Sequence, residues 1–259
     1  MKIGVLVKQV AGGESPLRID SNAKWVAEGS IDFTTNESDS YALEEALQII
    51  ERSGGEGEVV VISMGPAERT PKIIREALAK GGHRAIHIQE EAPYETDPFI
   101  VASIFAESLK DESFDLILSG LQSDDLGSGQ TGVILGELLG MSTATLVMGV
   151  ELKDGKLRVK RELESGWFQW VTLPLPASVT IQSGLNQPRY PSLKGIMGAK
   201  KKEIKAIAKG DVKGSGTPMQ TLTKMYTHKA EKRTEMIEGS TDQIVDRMID
   251  IFKKNIKAI

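Results

Sequence analysis

The chain contains no cysteine and only three histidines in 259 residues. Without cysteine there can be no disulfide, thiolate zinc site, iron–sulfur cluster or thiol nucleophile. The histidines, His83, His87 and His228, show no metal-ligand or triad spacing, and His83 and His87, which flank a short apolar run, are expected at the surface. A basic excess is also missing. Lys and Arg number 32 against 36 Asp and Glu, a net charge of −4, and no nucleic-acid-binding motif is present. No apolar run reaches the length of a membrane span, and there is no internal repeat or low-complexity segment. The opening M-K-I-G-V-L-V reads directly as a strand, so no signal or transit peptide is expected in the chain as given. A soluble cytoplasmic protein is the expectation, although a cleaved mitochondrial matrix protein would look the same.

What the sequence does contain is alternation. Short apolar or β-branched runs at Ile3–Val7, Glu58–Ser63, Arg84–Ile88, Asp115–Ser119 and Thr143–Val150 suit strands buried on both faces, as in a parallel sheet. Helices intervene. Thr70-Pro71 is expected to cap one that Gly81-Gly82 ends, Asp97-Pro98 opens Phe99–Lys110, and the polar cluster Asn36-Glu37-Ser38-Asp39 precedes a helix from about Ser40 to Glu51. Further strands are expected at Glu151–Leu152 and Lys156–Glu162, around an Asp154-Gly155 hairpin turn, and at Trp167–Thr172 and Ala177–Gln182. These are read as antiparallel additions to the same sheet. The fold class is therefore α/β, doubly wound, with a mainly parallel sheet, helices on both faces and a C-terminal arm ending in a helix. A nucleotide-binding domain is expected over 1–208. The remainder, 209–259, is expected to hold a glycine-rich linker at Lys209–Met219 and a helix from about Ser240-Thr241 with an apolar stripe, Ile244, Val245, Met248, Ile249 and Phe252, and this arm is expected to pack on a partner subunit.

In a doubly wound sheet, ligands sit beyond the carboxyl ends of the strands. Three segments there suit a nucleotide: Leu6–Gln9, Ser63-Met64-Gly65-Pro66, and the loop from Gly120 to Gly132. In the last, Gly127 and Gly129 allow close backbone approach, and Ser128, Gln130 and Thr131 put donors at a helix N-terminus, where free N–H groups and the helix dipole favour a phosphate. The same residues are also ordinary turn and cap formers. A different kind of surface is offered by Leu185–Lys202, L-N-Q-P-R-Y-P-S-L-K-G-I-M-G-A-K-K-K. Pro188 and Pro191 stiffen it, and Tyr190 and Leu193 form an apolar tip near cations. That combination makes a small docking surface.

The Leu185–Lys202 stretch resembles the recognition loop of electron-transfer flavoprotein beta subunits, L-N-x-P-R-Y-x-[ST]-L-x-x-I-M-x-A-K-K-K. Weaker motifs follow that family in the same order: V-K-Q-V near the start, N-E-S-D-S-Y-A-L-E-E-A from Asn36, S-M-G-P at Ser63, A-L-A-K-G-G at Ala77 and the Gly120 loop. The resemblance covers Met1 to about Lys205, and the family's fold belongs with the adenine nucleotide alpha-hydrolase-like group. It implies an adenine nucleotide held by Leu6, Asn36, Glu37, Ser38, Asp39 and Met64, with Gly120, Gln122, Ser123, Asp124, Asp125, Gly127, Ser128, Gly129, Gln130 and Thr131 around ribose and phosphate. The chain departs from the family at Glu37, where proline is usual, and at Asp125-Leu126-Gly127, where Asp-Gly-Asp is more common. The Gln130-Thr131-Gly132 ending resembles members that hold AMP structurally; electron-bifurcating members place a second FAD there.

The resemblance also implies an alpha subunit holding most of an FAD, in a heterodimer with this chain. Flavin-containing dehydrogenases would be transient electron donors docking at Tyr190, Pro191, Leu193, Ile196 and Met197. Leu193 would be the anchor, and burying one leucine, worth about 1.5–3 kcal/mol, suits a transient complex. No residue reads as catalytic or metal-binding. Glu44-Glu45 and Asp124-Asp125 lack a neighbouring histidine or metal partner and read as solvated or hydrogen-bonded carboxylates. Two other classes share the topology: a nucleotide-hydrolysing or adenylating enzyme, whose S-G-G-x-D-S loop has no counterpart after the first strand, and a stand-alone nucleotide sensor.

Overall fold

The computed structural model describes residues 1–92, 97–213, 216–228 and 234–256. Strand β1 (Lys2–Leu6) opens the chain, followed by an antiparallel ribbon of β2 (Gln9–Ala11) and β3 (Phe33–Thr35). Helix and strand then alternate through α1 (Glu37–Arg52), β4 (Glu58–Gly65), α2 (Thr70–Lys80), β5 (Arg84–Gln89), α3 (Pro98–Leu109), β6 (Leu116–Gly120) and α4 (Thr131–Leu138). The rest comprises β7 (Ser142–Lys153), β8 (Lys156–Glu162), β9 (Phe168–Pro174), β10 (Ala177–Ile181), α5 (Leu193–Ala199), β11 (Ile204–Ala208) and α6 (Thr241–Ile251). Contacts divide the chain into two units, Met1–Met225 and Tyr226–Ile259.

The first unit is the expected doubly wound sheet. Nine strands run in the order β11-β5-β4-β1-β6-β10-β7-β8-β9. Every pairing from β11 to β7 is parallel, and β8 and β9 are antiparallel. Alternate residues of each strand enter opposite layers, as a two-residue period requires. Val59 and Val61 join the cluster under α1 and α2, whereas Val60 and Ile62 join the one under α3 and α4. This two-sided burial explains why the strands read as unbroken apolar runs.

Several elements differ from expectation. Ala177–Ile181 is no antiparallel addition: β10 is a central strand, parallel to both β6 and β7. All five of its residues are buried, which is the signature of a strand covered on both faces. The segments expected as Thr143–Val150 and Glu151–Leu152 form one continuous strand, β7. Thr70 does not cap α2; it is the first helical residue, after Arg69, and it is fully buried. Asp97 does cap α3, accepting from the Ile100 amide at 2.8 Å. His83 is exposed as expected, but His87 is buried, with Nε2 3.0 Å from the Gly65 carbonyl. Strand β11, absent from the sequence reading, pairs along β5 and makes it an interior strand. Burial pushes the His87 imidazole below its ordinary pKa.

Of the linker expected at Lys209–Met219, Gly214 and Ser215 lie outside the described residues. Lys209 pairs with Glu90, and the Met219 and Gln220 amides donate to the Asp97 carboxylate. The Met225 amide donates to the Ala23 carbonyl at 2.7 Å, so residues 219–225 run along the first unit. At the amino-terminal rim of the sheet, Glu112 accepts from Lys2 at 2.7 Å and Arg84 at 2.6 Å, and Arg84 also reaches Glu58 at 2.8 Å.

In the second unit, α6 begins with a capping box: Ser240 accepts from the Gln243 amide, and the Gln243 side chain accepts from Ser240 N. Val245, Met248, Ile249 and Phe252 are exposed along the expected stripe. No helix among the described residues is long and apolar enough to cross a membrane.

Candidate functional site

The parallel strands β1, β4 and β6 end side by side, and the loops that leave them close around a cavity of about 790 Å³. Its walls include Leu6, Asn36, Glu37, Asp39, Met64, Gly120, Gln122, Ser123, Asp124, Asp125, Ser128, Gly129, Gln130 and Thr131. Segments far apart in sequence, each picked out by loop position or motif, therefore meet at one place.

Asn36 precedes α1, yet its side chain caps nothing. Its amide donates instead to the Gln122 carbonyl at 3.0 Å, and its carbonyl oxygen accepts from Asp124 N at 2.9 Å. Ser38 Oγ donates to the same Gln122 carbonyl at 2.8 Å, and Glu37 N donates to the Asp124 carboxylate. The capping cluster read from sequence thus stitches the start of α1 to the β6–α4 loop, and α1 begins at Glu37 rather than near Ser40. Asp39 ties in two more segments, accepting from Lys8 N and from Gly120 N, each at 2.8 Å. Gly120 passes so close that an added Cβ would lie 2.1 Å from Ser38 Oγ. Burial pushes the Asp39 carboxyl up to about 6, against the opposing pull of those two amides.

Two expected residues, Ser38 and Gly127, are absent from the cavity wall. Both shape the loop instead, Ser38 through Gln122 and Gly127 through its amide bond to the Ser123 carbonyl at 2.9 Å. Others were missed. Lys8 Nζ sits 2.6 Å from Asp125 Oδ1, so the carboxylate that remains at this position is neutralised by a cation from the β1 loop. Ser119 and Thr70 line the cavity, and both hydroxyls are buried without a partner among the described residues. At the far end stand Leu17, Trp25, Val26 and Phe33, with the Arg69 guanidinium 4.1 Å from the Phe33 ring centre. Arg69 was within reach of sequence reasoning, because it belongs to the loop that follows a central strand. Residues 10–33 carried no such signal.

The electron transfer flavoprotein domain model matches residues 24–212. The chain is 36% identical over 262 residues to an electron transfer flavoprotein subunit beta of Methylophilus methylotrophus, covering 98% of each. It is 30% identical over 264 residues to one of Bacillus subtilis, covering all of both. It is 40% identical over 205 residues to one of Bradyrhizobium diazoefficiens, covering 79% of this chain and 80% of that one. The chain belongs to the electron transfer flavoprotein beta-subunit family. It is an electron-transfer subunit.

The beta-subunit motif at Leu185–Lys202 does not line the cavity; it lies along α1, bonded to Tyr41, Glu44 and Glu51. Ser192 caps α5, accepting from Gly195 N at 3.0 Å. Tyr190, Leu193 and Met197 are 94%, 82% and 72% exposed, Ile196 is exposed and Pro191 is half-buried. Of the three lysines ending this beta-subunit motif, Lys200 and Lys201 are exposed. Lys202 is not a free cation: its Nζ donates to the Leu78 carbonyl at 2.9 Å and to the Gly82 carbonyl, and burial lowers its pKa. Glu44 and Glu45 are buried and hydrogen-bonded, to Arg189 and Gln48 and to Arg52 and Asn186 respectively. Among the described residues no group of acidic or histidine side chains is arranged to hold a metal.

Proposed function

We propose that this chain is one half of a heterodimeric electron carrier, holding AMP structurally in the cavity while an alpha subunit holds most of an FAD. The observation that carries this reading is the meeting of three strand-end loops and the start of α1 around one cavity lined by the residues that the family motifs single out. The chemistry of the walls fits an adenine nucleotide. Thr131 opens α4, where free amides favour a phosphate. The Ser119 and Thr70 hydroxyls, without a partner among the described residues, supply buried hydrogen-bonding capacity, which in a folded protein is rarely left unused. Leu6 and Met64 offer apolar contact to a base.

When bound, the flavin of FAD supplies the electron chemistry, and this chain's own residues bind, orient and present. Tyr190, Leu193 and Met197 form the surface at which a flavin-containing dehydrogenase docks, with Leu193 as anchor. The contact is small, as rapid exchange between partners requires.

A second reading, FAD in place of AMP, draws support from the far end of the cavity. Leu17, Trp25, Val26 and Phe33 extend an apolar wall beyond the phosphate-suited loop, and about 790 Å³ is generous for a mononucleotide. Gln130-Thr131-Gly132 favours AMP. One experiment separates the two: denature the purified complex and identify the released nucleotides by mass and absorbance. One FAD and one AMP per heterodimer is the expected result. Two FAD would establish the second reading, and a colourless single chain without nucleotide would overturn both.

A further inference from the structure

We infer that Glu44 and Glu51 are positioning residues that seat Arg189 and so hold the docking segment in one conformation before a partner arrives. The inference rests on the docking role proposed above and adds the device that makes the segment rigid.

Glu44 and Glu51 are seven residues apart, two turns of α1, and therefore share a helix face. Arg189 lies across both. Its Nε and Nη2 donate to Glu44 at 2.8 and 3.0 Å, and its Nη1 and Nη2 donate to Glu51 at 2.7 and 3.1 Å. The Arg189 backbone amide donates to Glu44 as well, at 3.1 Å. One arginine thus makes five hydrogen bonds to two carboxylates, and the fixed fork of the guanidinium sets its direction as well as its place. Burial works against charge on Glu44, yet the bonds from Arg189 prevail and hold its carboxyl below the usual range. A desolvated carboxylate is a poor choice where only stability is needed, since an apolar side chain would pack there at no such cost. What this pair supplies is a defined position for the residue next to Tyr190.

The other end of the segment is fixed independently. The Ala79 carbonyl at the end of α2 lies where a Cβ on Gly195 would come within 2.2 Å, so only glycine allows α5 to approach that closely. Arg75 donates to the carbonyls of Ala199 and Lys202, and Lys202 donates back to Leu78 and Gly82. Seated on α1 at one end and on α2 at the other, the segment leaves Tyr190, Leu193 and Met197 exposed. Ordering them in advance removes a cost that would otherwise fall on each encounter.

The test compares Arg189→Lys, Glu44→Gln and the milder Glu51→Gln with wild type in the intact complex. The partner is the dehydrogenase that reduces the wild-type complex fastest. Arg189→Lys keeps the charge and loses the fork. It should speed hydrogen exchange of amides between 186 and 197 at least tenfold and raise the half-saturating dehydrogenase concentration about tenfold, with the limiting rate unchanged, while the melting temperature falls because Glu44 loses part of its pairing. A purely structural role would lower the melting temperature and leave half-saturation alone. If Arg189→Lys folds poorly, Glu51→Gln gives the same pattern more weakly. Unchanged exchange, or faster exchange with unchanged half-saturation, overturns the inference. Leu193→Ala distinguishes the two levels. If it weakens reduction while the Arg189 and glutamate variants do not, positioning fails and docking stands. If it also has no effect, the docking role itself is wrong.

Discussion

Burial and hydrogen bonding act in opposite directions on Asp39. Its carboxylate accepts the amides of Lys8 and Gly120, with Asn36 and the Lys8 charge also nearby, yet desolvation dominates and lifts it to about 6. The folded protein therefore holds that proton more tightly than the unfolded chain does, whose carboxyl titrates near 3.8. The linkage sign follows: between about pH 4 and 6 the group's contribution to stability falls as pH rises, and above that it is level. At 1.36 kcal/mol per unit, the change is roughly 2–3 kcal/mol. Asp39→Asn should remove this slope, so that urea midpoints at pH 4.5 and 7 lie closer together than in wild type. Because one of the two amides then loses its acceptor, the variant should also retain nucleotide less well through gel filtration. An unchanged pH slope would mean that Asp39 titrates as an ordinary carboxylate.

Strand β10 shows what element-scale reading captured and what it did not. Its existence and bounds were legible in Ala177–Gln182, but its place was not. Periodicity reports how many faces are buried, not which strands lie alongside, and a chain returning from the β8–β9 hairpin invited an antiparallel reading. The sequence Ala-Ser-Val-Thr-Ile alternates apolar and polar residues, as in a strand with one wet face, and only the fold shows that all five are buried. A paired substitution tests this placement. Val179→Ala, in the fully buried centre of β10, should cost about 2–3 kcal/mol in denaturant unfolding, whereas Val171→Ala on outer β9 should cost under about 1. Equal losses would count against a central β10. Strand β11 escaped notice for a different reason. Ile204–Ala208 is short, is interrupted by Lys205 and is mostly exposed, as suits the last strand of a sheet, and it carries no long apolar run. The candidate site was legible as far as position at a strand end and side-chain chemistry coincide, as they do in the Gly120–Gly132 loop. Lys8, Ser119 and Thr70 were missed because their roles depend on partners brought close only by folding. The same holds for Arg189, whose neighbours in sequence say nothing of Glu44 and Glu51.

At the scale of the whole molecule, the second unit presents an unfinished surface. Helix α6 is capped at its start, and Val245, Met248, Ile249 and Phe252 lie exposed along one stripe. The sequence reading packs this helix on the partner subunit of the proposed heterodimer, and a double substitution tests that expectation. Val245→Asp with Ile249→Asp should then abolish co-purification with the flavin-bearing subunit while leaving the first unit's circular dichroism unaltered. Full recovery of the complex would place the contact elsewhere.

The two rims of the sheet answer to acid in different ranges. Around Lys2, Glu58, Arg84 and Glu112, pairing outweighs burial and keeps the Glu112 carboxyl down at about 2, so this hem stays fastened through any mild acidification. Where the strands finish, Asp39 takes up its proton near 6. A modest drop in pH therefore changes the charge of the seam beneath the cavity long before it touches the opposite border, and since the fold binds that proton more tightly than the unfolded chain does, the seam is strengthened by it.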